Sequence, residues 1–296
     1  MPDEVRTLSW TVGAAAAYFE RCGVDSPRAT AEHLAARLLG VRRGDLAARG
    51  EEALRPKVLE AMRRGMRRVA SGEPLQYVIG QWDFRDFTLR TDRRALVPRP
   101  ETEQLAGLAV GSPRLRSLER PILVDWGTGS GCLALCLARE FPSARVLALD
   151  ISEDALALAR ENASALGLSD RIAFLNVAET DVSEVLDGAS VHAIVSNPPY
   201  IPSAQVDRLE RKVLEHEPRV ALDGGPDGMD VLRAVCEEAT MLLAPEGEIY
   251  LELDAESGQA RAMSAHLAEL GFEEVRTHRD FTGAERFVSA MMPSGI

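Results

Sequence analysis

Apolar residues recur at three- and four-residue intervals through the first 73 positions, the period of an α-helix. The run "LSWTVGAAAAYFERCGV" ends at Gly23. The next, "SPRATAEHLAARLLGV", offers Ser26 as an N-cap and Pro27 at the first helical position. A third helix is expected from about Glu51 to "AMRRGMRRVA", where Arg63, Arg64, Arg67 and Arg68 stand in pairs at helical spacing. Those arginines read either as a solvated face or as a docking surface for an acidic partner. "SGEPLQYVIG" then breaks the pattern, and across residues 75–97 apolar and polar positions alternate, which predicts a β-hairpin joining two domains.

From about residue 98 the period switches back and forth. "PILVDWG", "ARVLALD", "RIAFLNV", "VHAIVSN" and "EIYLELD" read as strands. "SGCLALCLAREF", "SEDALALARENASALG" and "MDVLRAVCEEATMLLAPEG" read as helices, the second capped by Ser152 and the third ending before Pro245 and Gly247. Such alternation predicts an α/β domain, a mostly parallel sheet with helices on both faces. The expected plan is a small helical N-terminal domain over 1–74, a hairpin linker over 75–97 and the α/β domain over 98–296. Ligands in such folds sit outside the carboxyl ends of the strands.

Composition narrows the ligand. With 296 residues, 46% of them hydrophobic, the chain can fill the cores of two domains. Its net charge of -12 argues against broad binding of nucleic acid, which needs a basic footprint, and favours a cationic ligand or a basic partner. Four cysteines are too few and too scattered for a disulfide framework. Cys132 and Cys136 read as small core residues on one helix face, and no metal site is expected. "MPDEVRTLSW" lacks the apolar core of a signal peptide, and no stretch approaches a membrane span. A cytoplasmic chain without membrane association is the expectation.

The first strand of the α/β domain runs into Asp125-Trp126-Gly127-Thr128-Gly129-Ser130-Gly131. Alternating glycines let the backbone pass close to a ligand before a helix begins. A dinucleotide fingerprint would need Gly-x-Gly-x-x-Gly, and here the third glycine comes one residue too early. The loop therefore departs from the pattern that cradles a pyrophosphate. The second strand ends in Asp150, where a carboxylate can accept from both hydroxyls of a ribose. Glycine loop and acid together suit an adenosine ligand without phosphates. The arrangement resembles the S-adenosyl-L-methionine site of class I methyltransferases.

After the fourth strand comes "SNPPYIP". Asn-Pro is a turn signal in its own right, and ending a strand is one use for it. In a class I methyltransferase, however, this place lies beside the transferable methyl. Asn-Pro-Pro-Tyr there resembles the signature of enzymes that methylate a planar nitrogen, an amide or an exocyclic amine. Such a nitrogen is a poor nucleophile because its lone pair is delocalised. The Asn197 side-chain oxygen and the Pro198 carbonyl can accept from its two N–H groups, which aims it and supports the charge that develops on it. Pro198 and Pro199 stiffen the segment, and Tyr200 supplies a flat apolar wall. No general base is required within the motif.

Five stretches occur in order: "GEPLQYVIG", "LVPRPETE", "DWGTGSG", "VSNPPYIP" and "EPRVALDGGPDGMD". With the helical N-terminal region they resemble, along nearly the whole chain, the release-factor glutamine methyltransferases, the HemK/PrmC family. The resemblance implies a Rossmann-like class I enzyme that methylates the N5 amide nitrogen of the glutamine in the Gly-Gly-Gln motif of peptide chain release factors. It places Gly127, Thr128, Gly129, Ser130, Gly131, Asp150 and Asn197 at the cofactor, and Asn197, Pro198, Pro199 and Tyr200 at the glutamine. It also implies that the helical domain helps hold the release factor.

Three positions depart from the family pattern. Trp126 replaces a leucine. "NVAET" puts Ala178 where an aspartate is usual, leaving either Glu179 or the backbone to meet the adenine amino group. "ELDAESGQ" replaces a Glu-Ile-Gly sequence. "PRPETE" either starts a helix at Pro100 and Thr102 or stands against the cofactor. A glutamine methyltransferase acting on a ribosomal protein is the nearest alternative. A nucleic-acid amine methyltransferase conflicts with the charge of -12, and a non-catalytic binder conflicts with the intact Asn-Pro-Pro-Tyr. A monomer acting on a protein is expected.

Overall fold

The computed structural model describes residues 6–180, 182, 185–186 and 190–295. The chain divides into two compact units: one runs up to Gln81 and takes in Glu210–His216, the other holds Trp82–Leu209 and the residues from Glu217 onward.

The first unit is helical. Helix α1 (Leu8–Arg21) buries Leu8, Val12, Ala15 and Phe19 at the spacing read from the sequence. Helix α2 (Pro27–Leu39) starts at Pro27 as expected, but Ser26 is in the left-handed region at φ 47° and its side chain caps nothing. Helix α3 is Pro56–Ala70, not a helix from Glu51. Residues 52–54 instead pair with the segment before α1, where Leu8 N donates to the Glu52 carbonyl and Leu54 N to that of Arg6. Backbone groups engaged in that pairing cannot also join a helix, and Pro56 supplies the start. On α3, Arg64 pairs with Glu60 and Arg68 with Glu73. Leu75–Ile79 forms a short helix, α4, where alternation predicted strand, and ends on Gly80 in the left-handed region. The hairpin itself is shorter, β1 (Gln81–Phe84) and β2 (Phe87–Arg90), and all of it beyond Gln81 belongs to the second unit.

The second unit is built on a sheet. In chain order it holds α5 (Pro100–Val110), α6 (Pro113–Ser117), β3 (Ile122–Trp126), α7 (Cys132–Glu140), β4 (Arg145–Asp150), α8 (Glu153–Ala165), β5 (Ile172–Asn176) and β6 (Val191–Ser196). The single turn α9 (Ser203–Val206) follows, and the single turn α10 (Arg211–Leu214) falls in the stretch that belongs to the first unit. Then come α11 (Asp230–Leu242), β7 (Leu243–Glu252), α12 (Gln259–Glu269), β8 (Glu273–Arg279) and β9 (Glu285–Met291). Among the described residues seven strands form one sheet in the order β5-β4-β3-β6-β7-β9-β8, and β9 runs against its neighbours. Ser152 caps α8 as the sequence indicates, accepting from Ala155 N at 3.3 Å. Cys132 and Cys136 lie in the core between α7 and the sheet.

Strand order reverses beside β3: β4 lies on one side of it and β6 on the other. A crevice opens above the carboxyl ends at such a point. Trp126 is level with Leu149 of β4 and with Ser196 of β6. The residues one step further, Gly127, Asp150 and Asn197, therefore emerge side by side at the rim.

Candidate active site

A cavity of about 530 Å³ occupies this crevice, and residues after all three strands line it: Gly127 to Ser130, Asp150 and Asn197 among them. Its volume suits a ligand of nucleoside size.

The glycine loop is held from below. Gly127 N and Thr128 N both donate to the Leu149 carbonyl, at 2.9 and 2.8 Å. The Thr128 hydroxyl and Ala134 N donate to Oδ2 of the buried Asp125, at 2.6 and 2.9 Å, and Asn162 donates to the Ser130 carbonyl at 2.9 Å. Burial pushes the Asp125 carboxyl up to about 7. All three glycines have positive φ, and they use that freedom differently. A Cβ on Gly127 would meet nothing within 4 Å, so it would point into open space at the cavity edge. A Cβ on Gly131 would come within 3.1 Å of Ala159 Cβ. Gly131 accordingly brings α7 close to α8 and is absent from the cavity lining.

Asp150 closes the far wall. Its Oδ2 accepts from Gly129 N and its Oδ1 from Ser152 N, each at 2.9 Å. Those bonds aim the carboxylate and leave lone pairs on both oxygens for further donors. Burial raises its pKa above the ordinary carboxylate range. Near β5, Val177 lines the cavity, while Glu179 is exposed and lies outside the lining.

Three arginines line the cavity, and each already has a carboxylate. Arg94 holds Asp92 and Glu161, Arg99 holds the buried Glu217 at 2.7 Å, and Arg219 holds Asp207 and Asp223. No net cationic pocket for phosphates results.

The segment after β6 is clamped on every side. The Ser196 hydroxyl donates to the Trp126 carbonyl at 2.6 Å. Asn197 Nδ2 donates to Thr102 Oγ1 at 3.0 Å, and the Thr102 hydroxyl donates to Glu252 Oε2 at 2.9 Å. Gln259 donates to the Tyr200 carbonyl at 2.8 Å and accepts from Asp254 N at 3.0 Å. Gly224 and Gly228 lie so close to this backbone that a Cβ on Gly224 would come 2.7 Å from the Pro199 carbonyl, and one on Gly228 2.4 Å from that of Tyr200. Asn197 and Pro199 line the cavity; Pro198 and Tyr200 do not. Tyr200 packs partly into the core on the α11 side, where burial and the nearby Glu252 push its phenol well above the usual range.

Glu252, Gln259 and the two glycines are the site residues that sequence reasoning missed. A carboxylate inside the apolar strand "EIYLELD" was the available signal for Glu252.

Comparison with known proteins adds the rest. Residues 12–80 match the PrmC N-terminal domain and residues 113–226 the methyltransferase small domain. The chain is 40% identical over 282 residues to the release factor glutamine methyltransferase of Deinococcus radiodurans, covering 95% of this chain and 97% of that protein. It is 37% identical over 300 residues to the one from Chlorobaculum tepidum, covering 98% and 99%. A solved methyltransferase from Pyrococcus furiosus has the same fold, with a TM-score of 0.50 at 19% identity over 69% of this chain and 88% of that one. Relatives this similar along the whole length settle descent: the chain belongs to the release factor glutamine methyltransferase family.

Proposed function

We propose that the protein transfers a methyl group from S-adenosyl-L-methionine to the side-chain amide nitrogen of the glutamine in the Gly-Gly-Gln motif of a peptide chain release factor. One observation carries the cofactor: a nucleoside-sized cavity with a glycine edge, a carboxylate that still has free lone pairs, and arginines already neutralised. These features fit an adenosine bearing a cation and no phosphate. Asp150 would hold the ribose hydroxyls, the backbone at Gly127 to Ser130 would lie against the ligand, and Gly131 would set the helix behind it. Val177 stands where adenine is expected, with Glu179 next to it at the surface.

When bound, the cofactor supplies an electrophilic methyl on a sulfonium sulfur. The chain's own work is to present the acceptor. Asn197 Oδ1 and the Pro198 carbonyl accept from the two amide N–H groups and so turn the nitrogen's face toward the cavity. They also favour the positive charge that grows on that nitrogen. The proton it loses becomes acidic as the new bond forms, so no residue of the motif has to act as a base. Pro199 would exclude water from the amide's apolar side, and Tyr200, outside the lining, would back the segment from the core. The N-terminal unit would hold the release factor, and a monomer acting on protein, not nucleic acid, accords with the charge of -12.

The test is mass spectrometry of intact release factor after incubation with enzyme and cofactor. One added methyl on the glutamine is expected. An unmodified release factor, or methylation elsewhere, would overturn the reading.

A further inference from the structure

Deepening that reading and resting on it, we propose that Thr102 and Glu252 are positioning residues that fix which end of the Asn197 amide faces the acceptor. Strand register brings the groups together. Ser196 of β6 is level with Leu251 of β7, so Asn197 and Glu252 emerge as neighbours at the rim. Thr102 reaches them from the first turn of α5, a helix anchored in the core by Leu105, Ala106 and Ala109. The backbone of Asn197 has little freedom, since a proline follows it and confines it to extended conformations. Its side-chain amide could still turn over about its last torsion, which is broad and roughly two-fold.

Hydrogen-bond direction removes that freedom. An ionised carboxylate only accepts. Glu252, with 1% of its surface exposed, therefore takes the one hydroxyl proton of Thr102. Thr102 Oγ1 is left able only to accept from Asn197, and only the Nδ2 end of that amide can donate. The oxygen end is then the one presented to the acceptor. Turned over, Asn197 would set its own N–H groups against those of the glutamine. This gives "PRPETE" a role: its threonine sets the polarity of a residue 95 positions away.

The relay depends on the charge of Glu252, which burial pushes up to about 7. Arg286 and Arg99 oppose that shift and Glu101 adds to it, with the Tyr200 phenol and the Cys132 thiol also near the carboxylate. Protonated, Glu252 can itself donate to Thr102, whose hydroxyl is then free to donate to Asn197 Oδ1, and the turned-over amide becomes permitted.

Full-length Thr102→Val, Thr102→Ser and Glu252→Gln proteins test this with native release factor. Valine keeps the shape and loses the hydroxyl; serine keeps the hydroxyl. We expect Thr102→Val and Glu252→Gln to lower kcat by about tenfold or more, with cofactor Kd little changed and Thr102→Ser near the wild type. The second readout needs no turnover. In the wild type the Asn197 side-chain NH2 signals should titrate with Glu252 in NMR spectra, and in Thr102→Val they should move and stop titrating. The inference is overturned if Thr102→Val keeps wild-type kcat, if serine falls as far as valine, or if the Asn197 signals are the same in both. A wild-type protein that leaves release factor unmethylated would strike at the function instead, while the amide signals would still decide the relay.

Discussion

The loop after β3 and the segment after β6 leave neighbouring parallel strands at the same level. Yet the first has glycine at three of its five positions, Gly127 to Gly131, and the second has proline at two of four, Asn197 to Tyr200. The glycine loop keeps its amides on Leu149 and Asp150 and offers room. The proline segment offers acceptor atoms, and other residues hold it: Thr102, Glu252, Gln259 and the close approach of Gly224 and Gly228. A cofactor of fixed shape is served by missing side chains. An amide that must be aimed within a fraction of an ångström is served by a stiff chain and a locked side chain.

Substitutions that separate the two ends should fail in different measurements. The largest effect is expected from Asn197→Ala, which removes an acceptor aimed at the reacting nitrogen and should lower turnover about a hundredfold or more. Its cofactor affinity should fall only modestly, because Asp150 and the glycine loop remain. Turnover on purified release factor beside calorimetry of cofactor binding checks both, and near-normal turnover would return "SNPPY" to being a strand-ending turn. Asp150→Ala should do the reverse. Losing hydrogen bonds to a charged group should weaken cofactor binding by about 1.5–3 kcal/mol. Unchanged affinity would take Asp150 out of the site.

Two glycines sharpen the contrast further. Gly228→Ala drives a methyl into the Tyr200 carbonyl, so unfolding in urea should show a loss of about 1–3 kcal/mol. Gly127→Ala meets no atom, and beyond the cost of its positive φ its effect should appear as lost cofactor affinity. Equal stability losses with equal affinities would erase the distinction.

The smallest effect is the most diagnostic. If ionised Glu252 orients Asn197, kcat should rise as pH increases through about 7. Stability should move the other way. Burial raises the folded-state pKa of both Glu252 and Asp125 to about 7, so their contribution is complete below the ordinary carboxylate range and is lost as pH climbs to about 7. Urea midpoints across that window should fall while kcat rises; Glu252→Gln should flatten the kcat curve and make the stability curve shallower, the part due to Asp125 remaining. A kcat that tracks stability would argue against the relay.

Periodicity alone conveyed the α/β alternation, the N-terminal helices and the Ser152 cap, because each depends on residues within a turn or two of one another. The glycine loop and "SNPPY" stood out as candidates for the same reason, each being a run of consecutive residues, and Asp150 stood out by its place at a strand end. Elements set by distant partners were not. Glu51 to Arg55 has helical composition, but the backbone before α1 takes its hydrogen bonds, and the helix waits for Pro56. Leu75 to Ile79 alternates like a strand but has no strand beside it among the described residues, and it closes into a helical turn. Thr102, Asn197 and Glu252 show the limit most clearly. Their residue types are plain in the sequence, but their meeting follows from the register of β6 on β7 and from where α5 docks. A buried carboxylate must find a donor, and only the folded chain decides which hydroxyl, 150 positions away, supplies it.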